Sequence, residues 1–419
     1  MTARRIGSSR LAAATLAVTL AANANAQTAA PDLQDFSQIA RGRYVAVLGD
    51  CAACHTDPGG PPFAGGRAIA TPFGNVVAAN ITPDRETGIG AWTDAQFIRA
   101  MTKGRAPGGV RLYPAMPYPA YANMTTQDLI ALRAYLNTLS PVTHRVHSDQ
   151  LPFPFDSRLG MVFWNWLFYT PGTFKPDPHK SAEWNRGDYL VEGPGHCGTC
   201  HTAKDFLGGD ESGQFLHGYA IQGWFAPNIT GNDHVGIGSW SAEDIVSYLK
   251  TGVNAHAMAS GPMADEVEDS SSHMTAQDLR AIAAFLKSQP AGGNPAAPAM
   301  PAGDPVMQAG AAIYADECSA CHTPDGAGVA RLFPRLQGSP VVQSANPTSL
   351  IHVVLEGSRA VATDPAPTAP AMPPFAWKLS DREIADVVTY IRNTWGNHAS
   401  PVATGDVRAV QKTLASTTR

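Results

Sequence analysis

Apolar residues recur along this chain at helical spacing, in short runs separated by polar stretches rich in Gly and Pro. Ile39 to Gly49 carries Tyr44, Val45, Val47 and Leu48 and reads as a helix. Trp92 opens a second, with Asp94 near its start and Phe97, Ile98 and Met101 on one face. Thr126 starts a third, whose stripe is Leu129, Leu132, Tyr135 and Leu136. The order then returns. Asn80-Ile81-Thr82 reappears as Asn228-Ile229-Thr230, Gly88-Ile89-Gly90-Ala91-Trp92 as Gly236-Ile237-Gly238-Ser239-Trp240, and Met124-Thr125-Thr126-Gln127-Asp128-Leu129 as Met274-Thr275-Ala276-Gln277-Asp278-Leu279. Self-similarity at this spacing marks tandem units. A more divergent third round has a leading helix over 306–316. Its closing helix opens on the capping box Ser380 and Glu383, with the stripe Ile384, Val387, Val388 and Ile391.

The pattern predicts a mainly α chain of three tandem units at 32–150, 183–290 and 304–397. Residues 151–182 are a connector, and 291–303 are an Ala/Pro/Gly linker. The tail, 398–419, is polar and expected to be mobile. Within the connector, Met161 to Tyr169 is the most apolar stretch after the leader, and nine residues are too few to cross a bilayer. It is expected to pack between units. The alternative is a surface that docks a partner subunit or dips into the bilayer interface, where Trp, Tyr and Phe are enriched.

Length and charge narrow the picture. A chain of 419 residues is too long for one core. Charged residues are 16%, below the usual quarter, the net charge is −5, and no basic patch argues for nucleic acid. The first 26 residues read as a signal peptide: Arg4 and Arg5, an apolar run from Leu11 to Ala22, then Ala24-Asn25-Ala26 before Gln27. No other run approaches the length of a membrane span.

The chemistry lies in the six cysteines. They fall into three pentapeptides, Cys51-Ala52-Ala53-Cys54-His55, Cys197-Gly198-Thr199-Cys200-His201 and Cys318-Ser319-Ala320-Cys321-His322. C-x-x-C-H is the attachment signature of c-type haem. Positions i, i+3 and i+4 share one helical face, so both thiols reach the vinyl groups of one haem and the imidazole reaches its iron. A disulfide framework would not place a His after every pair. A zinc site needs two pairs folded together, and a thioredoxin-like motif needs a βαβ context that is absent. Three covalently bound haem c groups are expected, with His55, His201 and His322 as proximal ligands.

Each unit then offers a Met in a Pro- or Gly-flanked segment. Met116 lies 65 positions after Cys51, between Pro114 and Pro117. Met263 follows Gly261-Pro262, 66 positions after Cys197. Met372 precedes Pro373-Pro374, 54 positions after Cys318. These three are the expected second axial ligands. Met258 is the reserve for the second unit, and His256 a rival giving bis-His ligation. Met101, Met124 and Met274 read as core. A His/Met pair fills both axial sites, so the constellation predicts a conductor with no substrate chemistry of its own.

The run Cys51-Ala52-Ala53-Cys54-His55-Thr56, Pro61-Pro62-Phe63-Ala64-Gly65-Gly66, Thr71-Pro72-Phe73-Gly74 and Tyr113-Pro114-Ala115-Met116-Pro117-Tyr118 resembles the triheme cytochrome c subunit of bacterial membrane-bound dehydrogenases. So do Trp184-Asn185-Arg186-Gly187 and Gly223-Trp224-Phe225-Ala226-Pro227. That family serves flavin-dependent gluconate, fructose, sorbitol and glucose dehydrogenases, quinohaemoprotein alcohol dehydrogenase and molybdenum aldehyde dehydrogenases. The resemblance implies three tandem class I cytochrome c domains. It also implies a catalytic partner subunit carrying flavin, PQQ or molybdenum, and reduction of ubiquinone at the periplasmic face of the inner membrane. A free-standing periplasmic shuttle and a multihaem redox enzyme are the competing readings.

Overall fold

The computed structural model describes residues 35–146, 149–293 and 296–417. The expected signal peptide, residues 1–26, lies outside the described residues. The first unit opens on α1 (Phe36–Leu48), capped by the Asp35 carboxylate, which accepts from the backbone N–H of Ser37 and Gln38. The pentapeptide is itself a turn of helix, α2 (Cys51–His55). An antiparallel hairpin follows, β1 (Ala68–Thr71) and β2 (Gly74–Val77), in the register Ala68 to Val77. Then come α3 (Asp94–Lys103), α4 (Tyr118–Tyr121) and α5 (Thr126–Leu136). Thr93 and Gln96 close a capping box on α3, which fixes its start two residues beyond Trp92.

After the connector helix α6 (Gly160–Phe168), the second unit repeats the plan. It comprises α7 (Ala182–Glu192), α8 (Gly198–His201), the hairpin β3 (Tyr219–Ile221) and β4 (Trp224–Ala226), α9 (Ala242–Thr251), α10 (Pro262–Asp269) and α11 (Ala276–Lys287). The third comprises α12 (Pro305–Glu317), α13 (Ser319–His322), α14 (Pro340–Gln343), α15 (Thr348–Glu356), the short pair β5 (Ser358–Arg359) and β6 (Ala371–Met372), α16 (Asp381–Arg392) and α17 (Thr404–Thr417).

In each unit the leading helix crosses the closing helix at a glycine. A Cβ on Gly42 would stand 1.8 Å from the Ala131 carbonyl oxygen, one on Gly187 2.0 Å from that of Ala281, and one on Gly310 2.3 Å from that of Asp386. Only a residue without a side chain permits that approach. The predicted closing stripes are buried: Leu129, Leu132 and Leu136, then Leu279, Ile282, Phe285 and Leu286, then Ile384, Val387, Val388 and Ile391.

Two expectations need correction. The tail is not a mobile polar segment. It forms α17, which packs on α15 and α16 with Val402, Val407 and Val410 buried. Its polar face is held by Arg408 and Gln411, both bonded to the Asp381 carboxylate at 3.0 Å. The connector packs between units only in part. Trp164 is buried, whereas Val162, Phe163, Trp166 and Leu167 are exposed.

The first two units are tied reciprocally. The hydroxyl of Tyr44 on α1 donates to Asp278 of α11 at 2.7 Å, and that of Tyr189 on α7 donates to Asp128 of α5. Each carboxylate is also held within its own unit, Asp128 by Arg41 at 2.6 Å and Asp278 by the Arg186 fork at 2.8 Å. Burial pushes the Asp278 carboxyl upward in pKa, but Arg186 and the Tyr44 hydroxyl outweigh it and hold it below the usual carboxylate range. A carboxylate depressed by folding stabilises the protein above its unfolded pKa, near 4, and loses that contribution as pH falls through the lower folded value. Asp278→Asn should therefore cost on the order of 2 kcal/mol near neutral pH. In urea melts the deficit should shrink as pH falls below the ordinary carboxylate range, where the wild-type carboxyl also takes up its proton.

Candidate functional site

The twelve residues singled out from sequence converge. Cys51, Cys54, His55 and Met116, then Cys197, Cys200, His201 and Met263, then Cys318, Cys321, His322 and Met372 all line one continuous cavity of about 2420 Å³. Sites for one drug-sized ligand are roughly 300–1,000 Å³, so this space suits several large groups. Its walls are mainly apolar, with Ile81 and Leu132 in the first unit, Ile237 and Ile245 in the second, and Leu336 and Val342 in the third.

Each pentapeptide histidine is oriented in the same way. Nδ1 of His55 stands 2.7 Å from the carbonyl oxygen of Ala79, Nδ1 of His201 2.7 Å from that of Pro227, and Nδ1 of His322 2.9 Å from that of Pro334. A carbonyl can only accept, so Nδ1 carries the proton and Nε2 is left with its lone pair. A second hydrogen bond returns to each turn: Gly65, Gly218 and Gly328 donate their backbone N–H to the carbonyls of His55, His201 and His322. Burial holds all three imidazoles below their ordinary pKa. A neutral ring is what a metal ligand requires.

Four of the thiols are held neutral as well. Burial pushes Cys51 and Cys197 up to about 12, and Cys54 and Cys318 up to about 11. Zinc ligands and redox dithiols need thiolates of lowered pKa, so these environments oppose both. Among the described residues no group of three or more His, Cys, Asp or Glu is arranged to hold a bare metal ion. One buried donor on the wall, Trp240 Nε1, has no hydrogen-bond partner in the protein. Apolar walls, paired thiols, a freed Nε2 and an unspent indole donor together fit haem c.

The methionines sit as follows. Met116 lies between Tyr113, whose carbonyl its N–H meets at 3.1 Å, and α4. Met263 is the second residue of α10, behind Gly261 in the left-handed region at φ 56°. Met372 pairs with Ser358 across β5 and β6, so a short strand carries it. Met258 also reaches the wall, but it borders a second, smaller cavity against Arg331 and Leu332 as well. His256 also lines the cavity, but its ring stacks on Trp240 and its Nε2 lies 3.3 Å from Asp244.

Sequence reasoning missed Asp50 and Glu266. Both line the cavity beside the first two pentapeptides. Asp50 holds a left-handed backbone, φ 46°, and its buried Oδ1 has no partner. A non-Gly residue there is uncommon, but only the structure reveals the conformation.

The cytochrome c family model matches residues 39–140, 186–290 and 307–395. The chain belongs to the cytochrome c family. It is built of three tandem class I cytochrome c domains, mainly helical, and family membership implies covalent haem c and electron transfer. It is 42% identical to the cytochrome c subunit of the quinone-linked alcohol dehydrogenase of Gluconacetobacter polyoxogenes, covering 94% of this chain and 88% of that protein. It is 40% identical to the gluconate 2-dehydrogenase cytochrome c subunit of Pantoea cypripedii, over 91% of each. It is 38% identical to the fructose dehydrogenase cytochrome subunit of Gluconobacter japonicus, over 89% of this chain and 82% of that one. The resemblance to cytochrome c subunits of such dehydrogenases therefore holds along most of the cytochrome.

Burial, and after it the carboxylates of Glu266, Asp269 and Asp265, pushes Asp50 up to about 8. An acid whose folded pKa exceeds its unfolded value, near 4, costs stability progressively as pH rises between the two. Asp50→Asn should therefore raise the thermal midpoint at about pH 8 and leave it unchanged at about pH 4. Equal midpoints at both pH values would contradict this account of the cluster.

Proposed function

We propose that this cytochrome is the electron-transfer subunit of a periplasmic alcohol, sugar or aldehyde dehydrogenase complex. It carries electrons from a catalytic subunit holding flavin, PQQ or molybdenum to ubiquinone in the inner membrane. The N-terminal leader exports it, and it attaches peripherally to the periplasmic face. Three relatives of known assignment support this, since each is named as the cytochrome subunit of a dehydrogenase. The observation that carries the reading is the single cavity on which all twelve candidate residues meet.

In this reading the cysteine pairs 51/54, 197/200 and 318/321 each hold one haem c through thioether bonds. His55 with Met116, His201 with Met263 and His322 with Met372 would hold the three irons. When bound, haem provides a one-electron centre whose potential the axial pair sets. The chain's own part is to fix the imidazoles through the carbonyls of Ala79, Pro227 and Pro334, and to keep water off with apolar walls. With each iron held by a His and a Met of the chain, the cytochrome would leave no ligand position for a substrate. The alcohol or sugar is oxidised on the partner. A free shuttle would not carry the exposed apolar side chains of α6 into solvent. Among the described residues no helix is long and apolar enough to cross a membrane.

A haem assay should return three equivalents per chain; fewer would overturn the reading. Met263→Leu should remove about one third of the absorption band of Met–Fe(III) ligation and lower one potential, with haem content intact. Met258→Leu should leave the band whole. The reverse result would move the ligand to Met258.

A further inference from the structure

Helix α6 is pinned by few side chains. Trp164 is buried, donates from Nε1 to the Leu207 carbonyl at 3.0 Å and meets the Tyr118 ring edge-on. Asn165 accepts from the Tyr118 hydroxyl at 2.6 Å, and Tyr169, just past the helix, donates to the Thr102 carbonyl at 2.7 Å. Met161 and Phe168 are half-buried, and Met161 and Phe163 edge the cavity, whereas a further set of apolar side chains turns outward. Leu159 and Trp166 are 78% and 77% exposed, Val162 and Leu167 48% and 43%, and neighbouring Phe153 85%. None of these five lines the cavity, so a cofactor there would not cover them. Residues 159–174 contain no Asp, Glu, Lys or Arg.

The stretch beside α6 is basic. Residues 95–127 carry Arg99, Lys103, Arg105 and Arg111 and no acid, in a chain whose net charge is −5. The Tyr169–Thr102 bond and the Arg158–Arg111 carbonyl bond set this stretch against the helix. Arg99, Lys103 and Arg105 are exposed. Of the nearby acids, Asp149 is paired with Arg158 and Asp210 with Lys204, and Asp205 is spent on the N–H groups of Leu207 and Gly209. Asp156 and Glu211 remain, against the four basic residues.

We propose that α6 seats in the interfacial layer of an anionic lipid bilayer, with Leu159, Val162, Trp166 and Leu167 among the acyl chains and Lys103, Arg105 and Arg111 on lipid phosphates. An apolar helix carrying Trp, too short to span and flanked by cations, is the composition that lies in a headgroup layer. A protein-docking face would couple the same aromatics to a mixed polar rim. The inference gives the membrane-attached carrier proposed above its contact surface, and rests on that reading for which membrane is met.

The test is flotation of the holo-cytochrome with phosphatidylcholine vesicles, with and without phosphatidylglycerol. The wild type should float with the anionic vesicles, bind neutral ones more weakly, and be released from the anionic ones by salt. Trp166→Ser combined with Leu167→Ser should abolish binding to both. Lys103→Gln and Arg105→Gln should each weaken anionic binding by about fivefold and leave neutral binding alone. All sites are exposed, so haem content and the Met–Fe(III) band should not move. A wild type that carries three haems and ignores both vesicles overturns this proposal but not the carrier reading. A wild type short of haem overturns the carrier reading instead. Serine variants that float normally but no longer co-purify with the catalytic subunit assign α6 to a protein partner and also overturn the proposal.

Discussion

One hydrogen bond, made three times, governs the architecture: the bond from an imidazole nitrogen of the pentapeptide to a backbone carbonyl. A histidine on a four- or five-residue turn has two rotatable bonds and two nitrogens. Without an outside acceptor neither the ring plane nor the tautomer is fixed. The acceptor cannot come from the turn itself, so the chain must loop back. It does so 24 residues later in the first unit, 26 in the second and 12 in the third. In the first two units a hairpin makes the return, and the repeated Asn-Ile-Thr braces its end. Asn80 and Asn228 accept from the backbone N–H and hydroxyl of Thr82 and Thr230, and their amides reach across to the carbonyls of Val142 and Gly292. The apparent punctuation of the sequence is the scaffold of the carbonyl.

The same constraint accounts for the electrostatics. Burial that frees Nε2 from solvent also raises Cys51, Cys197 and Asp50 and lowers the imidazoles, so these groups on the wall are held toward neutrality. Charge is kept instead where the units meet. Arg41 with Asp128 and Arg186 with Asp278 form two related pairs, and each accepts a tyrosine from the opposite unit. Breaking one partner of such a pair leaves a poorly solvated carboxylate, so the two units hold a fixed relation. The third unit is outside this exchange. Tyr314 turns inward to the carbonyl of Thr323, and the unit is joined to the second through Phe225 and Ser349 instead.

Much of this was legible because it is local or repeated. The pentapeptides, the closing stripes and the Ser380 capping box are set by spacing along a few residues, and a duplicated sequence cross-checks itself. What was missed depends on distance in the chain or on conformation. Tyr44 and Asp278 are 234 residues apart, and nothing near either names the other. The left-handed Asp50 has no signature in an Asp codeword. The docked tail was legible in principle. Val407, Val410 and Leu414 recur at helical spacing, but polar neighbours between them masked a narrow stripe. The apolar connector was read as buried because its composition is that of a core; the structure buries Trp164 and leaves most of the rest outside.

The second site shows how far the units have merged. Met263, the methionine proposed there, is the second residue of a helix that starts immediately after Gly261, and that glycine is where it is because the Trp224 ring occupies the space a Cβ would need, 2.5 Å away. Trp224 is in turn stacked on His352 of the third unit at 3.9 Å, and His352 Nδ1 is fixed 2.8 Å from the Gly223 carbonyl. The third unit thus presses, through one indole, on the turn that presents the second unit's methionine. Packed interiors pass such displacements on with little give. Three domains that began as copies of one plan therefore cannot be tuned independently. A side chain on α15 bears on the proposed ligand segment of its neighbour, because the sites share walls as well as sequence.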